Sequence, residues 1–428
     1  MVEPLIRGAA PGAASATPPS SRRLLGPAAL VSVAFLGTNA LAYVFTVLAA
    51  RVLVPAAFGE LAALLGVLLI GTVPATGLQT AAALHLGGAD GSRTDRGLAR
   101  LHGAAFVTGL AVVATGILAT APLTALLHLP DAGAVPWLVA LLLPSTLISG
   151  YQGMLQGSGR YGRLATVTGF VGATKLAGGT AGLLIGGTPT AALAGMTVAA
   201  CAGALAGWAG CGRPGLRRGL RAPLAAALHA SGALLGFILL LNLDLLLARH
   251  HLTAADAGEY AVGAIIAKVA FWLPQGVGVV LLPRLADETD RRRLLPAALA
   301  LVGAGGAALT GATAALGSYA LPLIGGAAYG DGLGAATWLF AALGTLMALA
   351  QLLLFSGIAV ADRLALGAVW AAAAAELAVV ELLAVTGRLA LVPIAATAVG
   401  TAGLLVAVGL ARSRAARPVG PERGRPEE

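Results

Sequence analysis

The chain has 428 residues, of which 58% are hydrophobic and only 11% are charged, whereas an average globular domain carries roughly 25% charged residues. This much apolar surface excludes a water-soluble globular protein. The net charge of +9 does not indicate a nucleic-acid partner, because the arginines lie in short loops rather than along one face with interleaved aromatic residues.

The apolar residues occur in long blocks that are typical of membrane-spanning helices. Residues 1–24 are rich in Pro, Ser and Ala and predict a short disordered tail. The stretch that follows runs to Ala50, far beyond the roughly 7–15-residue core of a cleavable signal peptide, so it predicts a retained first helix. The blocks together predict twelve helices, near residues 25–50, 61–85, 102–127, 135–157, 164–186, 190–211, 223–248, 259–283, 295–323, 333–360, 364–387 and 389–411.

The basic residues predict how these helices are oriented, because cytoplasmic loops of membrane proteins carry the excess of Lys and Arg. With twelve helices, only Arg51, Arg249 and Arg388 of the 27 basic residues fall in predicted external loops, and Lys175 and Lys268 fall inside helices. All others fall on the cytoplasmic side. The pattern predicts a multi-pass protein of a bacterial plasma (inner) membrane with both termini in the cytoplasm.

The two halves of the chain share a weak internal repeat. Helix 1 ends in LAARVLVPAAFGEL, in which Arg51 precedes Gly59, and helix 7 ends in LLARHHLTAADAGEY, in which Arg249 precedes Gly258. A proline follows inside the next helix of each half. Because helices 1 and 7 point the same way, the halves would be parallel repeats, an arrangement that transporters use.

Two stretches resemble a known family. Residues 241–288 carry an Asn-x-Asp helix, a short external loop ending in Gly-x-Tyr, and a helix that closes on a proline and a basic residue. Residues 48–81 are similar to the first hairpin of the same family, in which Arg and Phe-Gly recur. These features resemble polysaccharide biosynthesis proteins of the oligosaccharide flippase type, within the multidrug/oligosaccharidyl-lipid/polysaccharide exporter superfamily.

The resemblance implies an all-α membrane protein with about twelve transmembrane helices in two six-helix lobes around a central cavity that opens alternately to each side. The expected parts are an N-terminal tail, an N-lobe, a basic linker, a C-lobe and a C-terminal tail, at residues 1–24, 25–211, 212–222, 223–411 and 412–428. Family members export lipid-linked oligosaccharides. The partners implied are therefore a lipid-linked glycan and membrane lipids, with H+ or Na+ as a coupling ion.

Ionisable groups at bilayer depth are candidates for function because burying them in hydrocarbon is costly. Lys175 in helix 5 and Lys268 in helix 8 are the only lysines of the chain. At 1.5 Å rise per residue, each lies on the order of 15 Å deep. Since an ammonium is a compact partner for phosphate, the two predict a cationic patch that meets a pyrophosphate. Alternatively, each lysine snorkels or pairs within its own lobe.

Other polar residues extend this predicted substrate site. Trp272 and Gln275 share a helical face with Lys268 at i, i+4 and i+7 spacing, which suits either a sugar head group or a lobe interface. Asn39 in helix 1 and Asn242 in helix 7 complete the set.

Three carboxylates in predicted helices are candidates for ion coupling, namely Asp244, Glu376 and Glu381. The alternative for Asp244 is a structural ion pair with Lys268. Glycines, by contrast, predict packing, and we expect Gly178 and Gly182 to mark a close helix contact.

The sequence predicts no catalytic residue, no cofactor and no metal site. No P-loop, HExxH or GxSxG motif occurs, and no loop is long enough to form a folded domain. A lipid-linked oligosaccharide flippase is the first functional hypothesis. The alternatives are a multidrug cation antiporter, in which cavity carboxylates should dominate, and a membrane-embedded glycosyltransferase or polymerase, which usually needs a long external loop.

The predicted topology can be tested with single cysteines at Ser92 and Gly332 in a cysteine-free background. Because the arginine distribution places these residues on opposite sides of the membrane, a membrane-impermeant thiol reagent added to intact cells should label only the cysteine at position 332. Labelling of both sites from outside would contradict the twelve-helix map.

Overall fold

A computed structural model describes residues 21–87, 95–130, 132–217, 221–272, 288–330, 332–358 and 363–415. These residues form fifteen α-helices and two short 3-10 helices, at Gly317–Tyr319 and Gly334–Thr337.

The helices fall into two halves, which we call the N-lobe (α1–α8) and the C-lobe (α9–α15). The N-lobe contains α1 (Ser21–Val52), α2 (Pro55–Gly71), α3 (Val73–Gly87), α4 (Asp95–Leu118), α5 (Thr120–Leu126), α6 (Ala134–Gly157), α7 (Tyr161–Gly186) and α8 (Pro189–Gly210). The C-lobe contains α9 (Arg221–His251), α10 (Ala254–Trp272), α11 (Glu288–Leu316), α12 (Ala320–Gly325), α13 (Trp338–Ile358), α14 (Arg363–Val385) and α15 (Leu391–Ala415).

The predicted all-α membrane fold is confirmed. Each of the twelve predicted segments has a helical counterpart, and ten segments of the described chain are long and apolar enough to cross a membrane. The other two are α7, which is rich in glycine and threonine and carries Lys175, and α10, which carries three charged residues, Asp256, Glu259 and Lys268. Both lysines therefore lie on segments that length and composition alone do not identify as spans.

Three predicted helices are broken in the structure. The segment predicted at 295–323 is divided into α11 and α12 by the 3-10 helix Gly317–Tyr319, and Gly317 has a φ of +55°. Proline explains the other two breaks. The segment predicted at 61–85 begins earlier, at Pro55, and is divided into α2 and α3 at Thr72. Pro74 has no amide hydrogen and disfavours the helical conformation of the residue before it. The segment predicted at 102–127 is divided into α4 and α5 at Ala119, and Pro122 removes the backbone hydrogen bond that would bridge this break.

Within the N-lobe, glycines allow α7 and α8 to approach to backbone contact. A Cβ atom on Gly178 would meet the carbonyl oxygen of Gly195, and a Cβ atom on Gly182 would meet that of Ala191. The close helix contact predicted for Gly178 and Gly182 is therefore confirmed. Small residues serve this purpose in membranes, where lipid tails are as apolar as leucine and association depends on close packing.

The two lobes contact each other through α2 and α3 on one side and α9 and α10 on the other. Gly59 and Gly258, the glycines of the internal repeat, face each other in this contact. A Cβ atom on Gly59 would lie 2.8 Å from the amide nitrogen of Gly258, and one on Gly258 would meet the carbonyl oxygen of Pro55. The repeat therefore brings the backbones of the two lobes together at the beginnings of α2 and α10.

Candidate functional site

The C-lobe buries two carboxylates that lie close enough to interact electrostatically. Asp244 on α9 is 4% exposed, and Glu376 on α14 is 2% exposed. The Tyr260 hydroxyl donates to Asp244 Oδ2 at 2.9 Å, and the Thr401 hydroxyl donates to Glu376 Oε2 at 2.9 Å. We call Asp244, Tyr260, Glu376 and Thr401 the carboxylate cluster. It brings together two of the three residues predicted for ion coupling.

The carboxylate cluster leaves one buried acceptor without a hydrogen-bond partner among the described residues, the Oε1 atom of Glu376. A buried polar atom without a partner costs about 1–3 kcal/mol. Carboxylate and hydroxyl oxygens are the ligands that hard cations prefer, and a carboxylate also binds a proton. The oxygen atoms of the cluster therefore suit a proton or a small hard cation chemically. The described chain contains no group of three or more His, Cys, Asp or Glu side chains that could hold a metal ion.

Glu381, the third predicted coupling residue, lies apart from the carboxylate cluster. Its side chain is 48% exposed, and its Oε1 atom lies 3.0 Å from His251 Nε2. Glu381 is thus part of a partly exposed pair between the end of α9 and α14.

Lys268 lies on α10 where the two lobes meet. The Tyr43 hydroxyl of α1, in the N-lobe, donates to the backbone carbonyl of Lys268 at 3.4 Å. The Lys268 side chain and Asp244 line the same cavity of about 10 Å³, between α9, α10 and α13, a volume that holds roughly one water molecule. Among the described side chains, Lys268 and Asp244 form no ion pair.

Lys175 lies on the face of α7 that packs against α1. It is spaced three and four residues from Gly172 and Gly179, which contact Thr38 and Phe45 of α1. In the described part of the chain, no hydrogen bond or ion pair involves the Lys175 side chain. Because α1 contacts both α7 and α10, it connects the two helices that carry the lysines.

Asn242 is fully buried at the lobe interface. Its Nδ2 atom donates to the Ile238 carbonyl at 2.8 Å, while its Oδ1 atom has no partner among the described residues. A Cβ atom on Gly66 of α2 would lie 3.4 Å from that Oδ1 atom, so the amide faces the opposite lobe.

The remaining predicted substrate residues are less closely defined. Asn39 is half-buried on α1, and Trp272 packs edge-on against Phe271 with the ring centroids 5.3 Å apart. Gln275 lies outside the described residues, as does the predicted end of helix 8.

Two members of the carboxylate cluster escaped the sequence analysis. Tyr260 belongs to the Gly-x-Tyr signature, which supported the family resemblance but did not identify a partner for Asp244. Thr401 lies in an apolar helix among other small residues and carries no comparable signal. Only the rotation of α10 and α15 about their axes reveals that both hydroxyls face carboxylates.

No protein-family profile matches the sequence, and no characterised protein matches it by sequence. Solved structures do share its fold. Lipid II flippase MurJ in an inward closed conformation superposes with a TM-score of 0.69 at 12% identity, covering 90% of this chain and 87% of that chain. An inward-facing multidrug resistance MATE family transporter of the MOP superfamily gives 0.66 at 12% identity, covering 88% and 95%. An outward-facing one gives 0.59 at 13% identity, covering 91% and 94%.

These likenesses establish the fold, which is the two-lobed helical fold of MOP superfamily transporters. The two-lobed architecture implied by the residue resemblance is thereby confirmed. Membership of the superfamily, and of the oligosaccharide flippase family within it, remains a prediction.

A double-mutant cycle tests the hydrogen bond that holds Asp244 in the carboxylate cluster. Tyr260→Phe and Asp244→Asn should each lower the melting temperature in detergent. The melting temperature of the double variant should lie only slightly below those of the single variants. A hydrogen bond to a charged group is worth roughly 1.5–3 kcal/mol. Because both single variants remove the same bond, the double variant loses this free energy only once. The control Tyr319→Phe changes a tyrosine that is 77% exposed and should leave the melting temperature unchanged. Full additivity of the Tyr260 and Asp244 effects would contradict this arrangement.

Proposed function

We propose that this protein moves a lipid-linked oligosaccharide or polysaccharide precursor across a bacterial plasma membrane by alternating access. The observation that carries the proposal is the pair of lysines on α7 and α10, one in each lobe of a fold shared with a lipid II flippase. The solved structures it resembles are transporters, in line with a role in transport rather than in catalysis.

The chemistry of such a substrate fits the lysine arrangement. The polyprenyl tail stays among membrane lipids, and only the charged head group needs a polar path. Lys175 supplies an ammonium that forms no hydrogen bond or ion pair with the described side chains, and Lys268 supplies another on α10, whose backbone accepts a hydrogen bond from the opposite lobe. Charge-assisted hydrogen bonds from ammonium groups to phosphate oxygens would hold the pyrophosphate between the lobes. Asn39, Trp272 and Gln275 are the residues that we assign to the sugar.

The carboxylate cluster is the part that we assign to energy coupling. Asp244 and Glu376 would bind the coupling H+ or Na+, and Tyr260 and Thr401 would orient their oxygens. The unpartnered Oε1 atom of Glu376 supports this assignment because a cation or an added proton would satisfy its environment.

A multidrug cation antiporter is the second candidate. It is favoured by the buried carboxylates and by the MATE family transporters among the similar structures. In that case organic cations would bind near the carboxylates, and the lysines would have no part in substrate affinity.

Transport can be tested with the purified protein in liposomes and a fluorescent lipid-pyrophosphate oligosaccharide. The substrate should move between leaflets without chemical change. Lys175→Gln and Lys268→Gln should each lower substrate affinity by about tenfold or more, since a charge-assisted contact is worth roughly 1.5–3 kcal/mol. The Lys→Arg variants should recover part of this affinity.

The control for charge loss is Arg388→Gln, which removes an exposed arginine from the turn between α14 and α15 and should keep wild-type affinity. Lengthening or cleavage of the glycan would identify an enzyme instead. Wild-type affinity in both lysine variants, together with transport of organic cations, would support the antiporter.

The coupling cation can be identified from thermal stability without any substrate. A cation that binds the folded protein stabilises it by about 2.7 kcal/mol at a hundred times its dissociation constant. Replacing Na+ by choline, or changing pH at constant ionic strength, should therefore shift the melting temperature of the wild type. Glu376→Gln and Asp244→Asn should abolish the shift, and Glu381→Gln on the same helix as Glu376 should retain it. An equal shift in all variants would remove the carboxylate cluster from this role.

A further inference from the structure

Arg51 ends α1 in the N-lobe and binds the C-lobe. Its Nη2 atom donates to the carbonyl oxygen of Leu323 at 2.7 Å, and its Nε atom donates to that of Ile324 at 3.0 Å. Both carbonyls belong to the last turn of α12, where a helix leaves its acceptors without partners of its own. The guanidinium therefore satisfies the C-terminus of a helix in the opposite lobe.

Arg249 ends α9 in the C-lobe and makes the reverse contact. Its Nε atom donates to the carbonyl oxygen of Leu127 at 3.0 Å, and its Nη2 atom donates to that of His128 at 3.4 Å. These carbonyls directly follow α5 of the N-lobe. The neighbouring His250 Nδ1 atom lies 2.7 Å from the Leu126 carbonyl oxygen. The end of α5 is thus held by two consecutive side chains of α9.

The two contacts are equivalent by the internal repeat. Arg51 and Arg249 end the first helix of their lobes, at matching positions before the repeat glycines. The helices they bind, α5 and α12, are short and follow the third long helical segment of each lobe. We call the two arginines together with the carbonyls they bind the arginine clasp. Each lobe supplies one guanidinium and one helix C-terminus, so the clasp is reciprocal.

Further contacts join the lobes at the same end of the bundle. The Tyr329 hydroxyl, in the loop after α12, donates to the carbonyl oxygen of Ala50 at 3.1 Å. Its ring packs edge-on against Phe58 of α2, with the centroids 6.4 Å apart. Burial raises the pKa of Tyr329 to about 12, so the hydroxyl keeps its proton at physiological pH and remains a donor. The backbone contact between Gly59 and Gly258 lies next to this set.

We propose that the arginine clasp is the gate that holds this end of the bundle closed, and that both arginines release the opposite lobe when the protein opens there. In the predicted topology this is the external end. The guanidinium fork matches two adjacent carbonyls, and helix C-termini carry partial negative charge. Both features strengthen the hydrogen bonds in each half of the clasp. Water can replace the arginine at the carbonyls on opening, which keeps the gate reversible.

The comparison with solved structures supports a closed state at one end. The chain superposes better on the inward-facing and inward closed transporters than on the outward-facing one. The inference concerns conformation alone and goes beyond the proposed function, since it holds for any substrate.

The test measures the distance between the lobes in the full-length protein in nanodiscs. Cys201 and Cys211, the two natural cysteines, are first replaced by alanine. Spin labels are then attached at cysteines introduced at Val54 in the N-lobe, which is 67% exposed, and at Tyr319 in the C-lobe, which is 77% exposed. Double electron–electron resonance reports the distance distribution between the two labels.

The wild type should show one short distance. Arg51→Gln and Arg249→Gln should each add a longer-distance population and raise the open-to-closed ratio by about tenfold, as expected for loss of charge-assisted hydrogen bonds. The double variant should raise the ratio by about a hundredfold, because the two halves of the clasp share no partner and their effects add. Arg388→Gln, whose arginine lies on the same predicted side, should keep the wild-type distribution.

Arg→Lys variants keep the charge but lose the fork, so they should shift the ratio by an intermediate amount, and they provide the test if a glutamine variant does not fold. A wild-type distance distribution in the folded double variant, Gln or Lys, would overturn the proposal. The measurement uses no substrate, so a failure of the proposed function leaves its outcome unaffected.

Discussion

The cost of placing polar groups in hydrocarbon governs this structure at every level. A backbone without water must satisfy its own hydrogen bonds, which favours helices for every membrane segment. Side-chain hydroxyls follow the same rule: Thr146 and Thr345 donate to carbonyls four residues earlier in their own helices, at 2.8 and 2.7 Å. Against this background, a buried polar group that is not satisfied within its own helix needs a specific partner. Asp244, Glu376 and Arg249 are groups of this kind, and each finds its partner on another element.

The same cost explains what the sequence could predict. Apolar blocks long enough to cross a bilayer have few alternative structures, so the helices could be placed from composition alone. The breaks at Thr72 and Ala119 were missed because hydropathy measures only how apolar a segment is. It does not report that Pro74 and Pro122 lack the amide hydrogen of a helical hydrogen bond. Charged residues inside the blocks were equally visible, and Asp244 and Glu376 were identified by this route. Glu381 was selected by the same reasoning, but it lies close enough to the end of α14 to pair with His251 at the surface.

Partnerships between elements were not accessible to the sequence. The internal repeat revealed that Arg51 and Arg249 occupy equivalent positions, and it also marked Gly59 and Gly258. It did not reveal that each arginine binds the opposite lobe, because a repeat describes each half separately. Side-chain contacts across the interface depend on the rotation of each helix and on the docking of the two halves.

The helix α10 connects the lobe contact, the carboxylate cluster and Lys268. Gly258 of α10 contacts the N-lobe backbone, and the next residue, Glu259, accepts hydrogen bonds from the Gly332 and Leu333 amides at 3.0 and 2.6 Å. The residue after that, Tyr260, binds Asp244, and Lys268 lies two turns further on. Three consecutive residues therefore link the lobe contact, the loop before α13 and the carboxylate cluster. In the function that we propose, a cation that moved Asp244 would act through Tyr260 on α10, the helix that also carries Lys268 and the Gly258 contact with the opposite lobe.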